Sequence, residues 1–404
     1  MNTINIDDFI KKHITNRSES MFLPDLKNND SKLRNEIEGK SLIVIGGAGT
    51  IGASFIKAAL KYHPARLYVV DINENGLTEL TRDLRSDLNT TVPEVYKTYP
   101  INFDDDIFYK ILDNEGPFDI VANFAAHKHV RSEKDIYSIQ ALIENNVIKA
   151  EKLLKYLTKQ PPQHFFCVST DKAANPVNIM GASKKIMEEV IMSYSKQIPI
   201  TTARFANVAF SNGSLLYGFN ERLMKRQPFS SPSDVKRYFV SPEESGQICL
   251  SACVLGHSGD IFFPKLKEEQ MMTFSSISDQ YLKELGYEPL QCKSETEAKE
   301  KASQLDEILP QYPVYYFKTD TSGEKAFEEF YTDREKVDEN SYKALGVVKN
   351  APQKSHSDIQ KMIEKLESAL NKQNVKKEEI VAAMAEFLPN FKHIETGINL
   401  DQKM

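Results

Sequence analysis

Cysteine is scarce: 404 residues hold four, Cys167, Cys249, Cys253 and Cys292, none in a Cys-x-x-Cys spacing. A disulfide framework is thereby disfavoured, and buried thiols in a reducing cytoplasm are expected. Also missing is any apolar run of the ~18–20 residues that a membrane helix needs. The stretch 1–8 is polar and acidic where a secretion signal would be basic and then apolar, so a soluble, cytoplasmic chain is expected. No block of one charge stands out, because 51 basic and 57 acidic side chains leave a net charge of −6. That balance offers no electrostatic footprint for nucleic acid. Nor is a metal expected: His127 and His129 flank Lys128 without a carboxylate or cysteine at ligand spacing.

What is present is alternation. The chain exceeds the ~250–300 residues at which single cores stop growing, so two structural parts are expected. Residues 1–37 are polar and charge-mixed, and read as an arm packed on the body. Apolar, β-branched runs follow at 41–45, 67–70, 95–101, 120–124, 164–169 and 200–205, separated by helical patterns such as 51–62, 141–157 and 183–195. Strand and helix in turn predict an α/β, Rossmann-type, doubly wound parallel sheet over 38–208. A smaller substrate-binding portion over 209–350 sends some elements back to that sheet. Within it, 211–213 and 229–233 read as loops and 241–255 as a helix opened by Ser-Pro-Glu-Glu. The highly charged stretch 291–310 and the segment 351–404, periodic over 355–387, read as solvated helices.

The first strand runs into Gly46-x-x-Gly49-x-x-Gly52. Gly46 serves the turn, Gly49 lets a pyrophosphate approach the backbone, and Gly52 lets the helix pack on the strand. With Ala48, Thr50 and Ile51 they form a dinucleotide cradle whose anion rests on free helix N–H groups. About 20 residues on, Asp71 ends the second strand, placed to bind the adenosine ribose and to repel a 2′-phosphate. NAD is therefore expected rather than NADP. Asn102 and Phe103, ending the third strand, are placed to flank the adenine.

Ligands of open parallel sheets collect at the carboxyl ends of the strands, where Ala125, Ala126, Thr170, Asp171, Lys172 and Asn207 fall. A loop past a strand end can turn both Asp171 and Lys172 into one cleft as acid and base; alone, such a pair is more often a surface ion pair. Lys184, one helical turn beyond Met180, is placed to hold the nicotinamide ribose, or else is a surface lysine beside Lys185.

These residues resemble the extended short-chain dehydrogenase/reductases, and within them the UDP-N-acetylglucosamine 4,6-dehydratases of the polysaccharide-biosynthesis branch. The likeness is carried by Gly46-Gly-Ala-Gly-Thr-Ile-Gly52, Ala125-Ala-His-Lys-His-Val130, Ser169-Thr-Asp-Lys-Ala-Ala-Asn-Pro-Val-Asn-Ile-Met-Gly-Ala-Ser-Lys184, Arg204-Phe-Ala-Asn-Val208, Arg237-Tyr-Phe-Val240 and Gly323-Glu-Lys325, with a weaker echo in Phe387-Leu-Pro-Asn-Phe391. The resemblance implies hydride transfer from C4 of a bound sugar to NAD, removal of the C5 proton by Lys172, departure of the C6 hydroxyl protonated by Asp171, and return of the hydride to C6. It further implies inversion at C5, Thr170 on the C4 hydroxyl, Asn207 and Arg237 on the nucleotide diphosphate, Lys128 near the sugar, and a homo-oligomer. The chain departs from the pattern in having Met180 where most of the superfamily has tyrosine. It also lacks an arginine before Gly323, where Asp320-Thr-Ser322 stands, so that diphosphate contact is lost or passes to a residue such as Lys318. A third departure is the charged segment 291–310, which has no counterpart. Two alternatives stay open: a C4 or C5 epimerase of the same fold, and a non-catalytic NAD-binding regulator.

Overall fold

The computed structural model describes residues 4–320, 323, 325, 327–351 and 353–397. Six parallel strands alternate with helices: β1 (Ser41–Ile45), β2 (Arg66–Val70), β3 (Val95–Tyr99), β4 (Ile120–Asn123), β5 (His164–Val168) and β6 (Ile200–Ala203). Every residue of β1 and β4 is buried, as strands covered on both faces require. Beyond β6 come β7 (Phe229–Pro232), β8 (Ile261–Pro264), β9 (Glu288–Cys292), β10 (Gln311–Phe317), β11 (Val337–Asp338) and β12 (Leu345–Val348). The main sheet runs β11-β12-β8-β6-β5-β4-β1-β2-β3. β12 pairs antiparallel with both β8 and β11 at one edge; the other pairings are parallel. Strand order reverses between β1 and β4, the switch point where such sheets open a crevice.

Three helices reach that crevice, α1 (Thr50–Leu60), α2 (Ile179–Ser193) and α3 (Leu215–Met224), and a fourth, α4 (Pro242–Leu255), packs on α1. α4 is opened by Ser241 in a reciprocal capping box with Glu244, Pro242 supplying the first turn. It packs on α1 so closely that a Cβ on Gly246 would lie 2.2 Å from the Ser54 carbonyl oxygen.

Two stretches, 229–232 and 141–157, differ from the sequence expectation, while 291–310 forms the solvated helices expected of it. Phe229–Pro232 is a strand, not a loop: it is the edge of a small parallel sheet β9-β10-β7, where proline costs no ladder bond. The charged stretch 291–310 is the crossover of that sheet, with helices Glu295–Ser303 and Leu305–Ile308 joining β9 to β10. Its polarity follows from burying little beyond Ala298 and Leu305. The helix expected over 141–157 begins at Ile136, capped by Asp135, and runs through a π-turn at Glu144–Ile148 to Leu157.

The arm docks on two cores. Phe9, Ile10 and Ile14 join Phe210, Phe219 and Tyr281 in the core between α3 and the small parallel sheet, whereas Phe22, Leu26, Leu33 and Ile37 join the core of the main sheet. Helices His356–Leu370 and Lys377–Phe387 pack through Ile359, Met362, Ile363 and Met384 against Ile139, Ile143, Ile186 and Val190. All four cysteines are buried and unpaired. Among the described residues no helix is long and apolar enough to cross a membrane, and no group of His, Cys, Asp or Glu could hold a metal ion.

Candidate active site

At the end of β1 the chain turns at Gly46 with φ +73°, and a Cβ there would lie 2.5 Å from the Ala125 nitrogen. Only glycine satisfies both constraints. A Cβ on Gly52 would come within 2.4 Å of the Gly46 carbonyl oxygen, so α1 abuts the turn. Gly49 precedes α1 with no side-chain cap, which leaves the first N–H groups of the helix for an anion. Asp71 lies over this turn, one carboxylate oxygen accepting from the Ala48 amide at 3.0 Å and the other from the Asn73 amide at 2.9 Å. Thr50 Oγ1 accepts from the Asn212 amide at 2.9 Å and ties the turn to the substrate side. These residues fit the pyrophosphate and ribose of a dinucleotide. Ala125 lies beneath Gly46, while Ile51 and Ala126 reach the adjoining cavity. Asn102 Oδ1 accepts from the Asp104 amide, and the ring of Phe103 is buried against Phe108, so Phe103 offers a ligand its backbone and not its ring.

A cavity of about 490 Å³ opens beyond the strand ends. Thr170, Lys172, Met180, Lys184, Lys128, Asn207 and Arg237 all line it. Asp171 does not. Its carboxylate is 4% exposed, and Oδ1 accepts from Thr170 Oγ1 at 2.8 Å, the Lys172 amide at 2.8 Å and Lys172 Nζ at 3.1 Å. The acid is thus reached from the cavity through its two neighbours.

Lys184 is no surface lysine. Its Nζ donates to the Val168 carbonyl oxygen at 2.6 Å, and burial pushes the ammonium below its ordinary value. Lys128 Nζ donates to the Asn212 carbonyl oxygen at 3.1 Å and is likewise lowered by burial. Met180 is among the residues lining the cavity, is otherwise buried in an apolar cluster, and its amide donates to Glu133 Oε1 at 3.0 Å. A thioether cannot relay a proton. Lys318 is exposed and does not line the cavity.

Two features were missed in the sequence. Glu328 sets Oε1 3.8 Å from Lys172 Nζ and 3.9 Å from an Arg237 terminal nitrogen, and burial raises its carboxyl above the usual value against the pull of Lys172. Glu328 follows the Gly323-Glu-Lys325 stretch, but no spacing there links it to Lys172. Behind the cleft, Arg204 is fully buried and grips Glu188 and Glu335, while Ser169 Oγ donates to Glu188 at 2.6 Å. This network fixes the strand end from which Thr170 and Asp171 project. The Gly323 carbonyl accepts from Asn178 Nδ2 at 2.7 Å; Thr321, Ser322 and Glu324 lie outside the described residues.

The sequence pattern of the family described as "Polysaccharide biosynthesis protein" matches residues 42–350. The chain belongs to this family. Family members and relatives nearby in sequence differ in their described activities. The chain is 28% identical over 292 residues to the "Uncharacterized membrane protein MJ1061" of Methanocaldococcus jannaschii, covering 70% of this chain and 84% of that protein. It is 25% identical over 236 residues to a UDP-N-acetylglucosamine 4,6-dehydratase (inverting) of Campylobacter jejuni, covering 56% and 67%. It is 28% identical over 236 residues to a UDP-glucose 4-epimerase of Rickettsia bellii, covering 56% and 66%. Among solved structures, Pen from Bacillus thuringiensis superposes with a TM-score of 0.60 at 20% identity, covering 79% of this chain and 90% of that one. The likeness is one of fold, a Rossmann-type parallel α/β sheet.

Proposed function

We propose that the protein is an NAD-dependent 4,6-dehydratase acting on a UDP-linked N-acetylhexosamine, with UDP-N-acetylglucosamine as substrate. The observation that carries this reading is the contact of 3.1 Å between Lys172 Nζ, on the cavity wall, and the buried Asp171 carboxylate behind it. An ammonium beside a carboxylate holds the same number of protons as an amine beside a carboxylic acid. Passing one proton across that contact therefore creates the base and the acid together, with no exchange with solvent. Lys172 then takes the C5 proton, Asp171 gives its proton to the departing C6 hydroxyl, and water leaves. The pair ends as the ion pair from which it began.

Thr170, whose hydroxyl donates to Asp171, would hold the C4 hydroxyl, and Lys184 the nicotinamide ribose. Asp71 and the turn from Gly46 to Gly52 would hold the adenosine half. NAD⁺, when bound, would supply the acceptor for the C4 hydride and the donor that returns it to C6. The proton that C5 must then regain would come from the Lys172 ammonium, which recovers one from solvent in exchange for the C4 hydroxyl proton released there through Thr170. Asn207 and Arg237 face the nucleotide diphosphate and Lys128 the sugar. Because Met180 carries no exchangeable proton, the C4 hydroxyl proton leaves through Thr170.

One observation favours a C4 epimerase as the second reading: Asp171 does not line the cavity, and an epimerase needs no acid for a leaving hydroxyl. Incubation of the NAD-loaded protein with UDP-N-acetylglucosamine separates the two by mass spectrometry. The dehydratase yields a sugar nucleotide lighter by one water. An isomer of unchanged mass establishes the epimerase instead, and no product at all leaves the protein as a cofactor-binding regulator.

A further inference from the structure

Among the described residues lining the cavity there is no aspartate or glutamate, yet there are five cationic side chains: Lys128, Lys172, Lys184, Arg222 and Arg237. Four of these meet oxygens of the chain itself, namely the Asn212 carbonyl, the Asp171 carboxylate, the Val168 carbonyl and the Lys325 carbonyl. Arg222 is different. Its Nε is buried without a hydrogen-bond partner among the described residues, as is Ser230 Oγ on the facing strand. Buried donors left unpaired are rare in folded proteins, so an orphan in a cavity wall marks a place where a ligand completes the bonding.

The two side chains reach the cavity for clear reasons. Arg222 stands in the last turns of α3, and Leu215, Leu216 and Phe219 of the same helix also line the cavity. On β7, Ser230 and Pro232 face the cavity while the intervening Ser231 does not, as strand alternation dictates. Both elements belong to the substrate side, whereas Lys172 and Lys184 come from the parallel sheet and its helix. A guanidinium suits phosphate oxygens, which it binds with two parallel N–H donors.

We propose that Arg222, assisted by Ser230, binds a phosphate of a nucleoside diphosphate, supplying the contact that the missing arginine before Gly323 leaves open. This rests on the nucleotide-sugar reading above. The test is calorimetric titration of the full NAD-loaded chain with UDP at low and moderate salt. Arg222→Gln is expected to weaken UDP binding about tenfold or more, to flatten its salt dependence, and to leave NAD affinity unchanged. Arg222→Lys, which keeps the charge but not the fork, should fall between the two, and Ser230→Ala should lose a few-fold. Unaltered UDP affinity in Arg222→Gln overturns the assignment. So does a loss with the wild-type salt dependence retained, since the contact would then be to the base or ribose. If the wild type itself fails to bind UDP, the nucleotide-sugar reading falls and this inference falls with it.

Discussion

Under the proposed mechanism Lys172 takes a proton only if its amine reaches the sugar, and Lys172 does line the cavity where the sugar would lie. Lys172→Ala is expected to lower the rate of water loss by about 10²–10⁴, the usual worth of a positioned base. NAD binding, proposed for the turn at Gly46 and Asp71, should stay as in the wild type; a variant that still dehydrates at the normal rate would remove Lys172 from the mechanism. Behind it, Glu188 makes a different demand. Burial alone would raise its carboxyl, but the Arg204 guanidinium more than offsets this and holds it at about 2, against an ordinary value of 4.5. A carboxyl depressed on folding stabilises the fold above its unfolded value, and that contribution is lost as pH falls through the folded value. The gap corresponds to on the order of 3 kcal/mol, released between about pH 4.5 and 2. Thermal midpoints should drop across that window in the wild type, and Glu188→Gln should be less stable at neutral pH with a flatter acid limb. Asp171 and Lys172 were legible because they are neighbours in the chain at a strand end. Glu328 and the Arg204 network were not, since Lys172 and Glu335, which they meet, are distant in sequence; nor was Arg222, because no periodicity marks a guanidinium nitrogen left unpaired in the fold.

Elements were legible where one property dominated. Runs such as Ser41–Ile45 and His164–Val168 are apolar and β-branched or aromatic because both faces are covered, and both were placed from that pattern. β7 was hidden because Ser230, Ser231 and Pro232 resemble a turn, and only the sheet edge explains why they form a strand. A close approach between elements is also invisible in a single sequence. Gly246 permits α4 to rest on the backbone of α1 at Ser54, and a methyl group there would meet the Ser54 carbonyl oxygen at 2.2 Å and its carbon at 2.4 Å. Backbone cannot swing aside as a flexible side chain can. Gly246→Ala should therefore force the helices apart and cost about 1–3 kcal/mol despite the better helix propensity of alanine. Denaturant unfolding measures this directly; a neutral or stabilising result would mean that the two helices part freely.

For the whole molecule, the arm is the device that joins the parallel sheet to the substrate side. Arg17 donates from Nε and a terminal nitrogen to the two Glu244 oxygens at 2.9 and 2.8 Å, at the start of α4. On one side of that clamp Phe9 and Ile10 enter the substrate-side core; on the other, Phe22 and Leu33 enter the sheet core, and Asp25 accepts from the Lys343 and Ala344 amides. Burial of Phe9, Ile10 and Ile14 contributes about 1.5–3 kcal/mol each, offset in large part by the entropy of ordering their segment. Deleting residues 4–16 should therefore lower stability modestly while uncovering Phe210, Phe219 and Tyr281. Phe219 also lines the cavity, so the loss is expected to fall on the substrate. UDP affinity should drop several-fold in calorimetry with NAD affinity unchanged, because the deleted Phe9, Ile10 and Ile14 pack in the core around Phe219 and not in that of the sheet that carries Gly46 and Asp71. Equal losses for both ligands would show that the arm supports the sheet as a whole and not the wall of the substrate cavity.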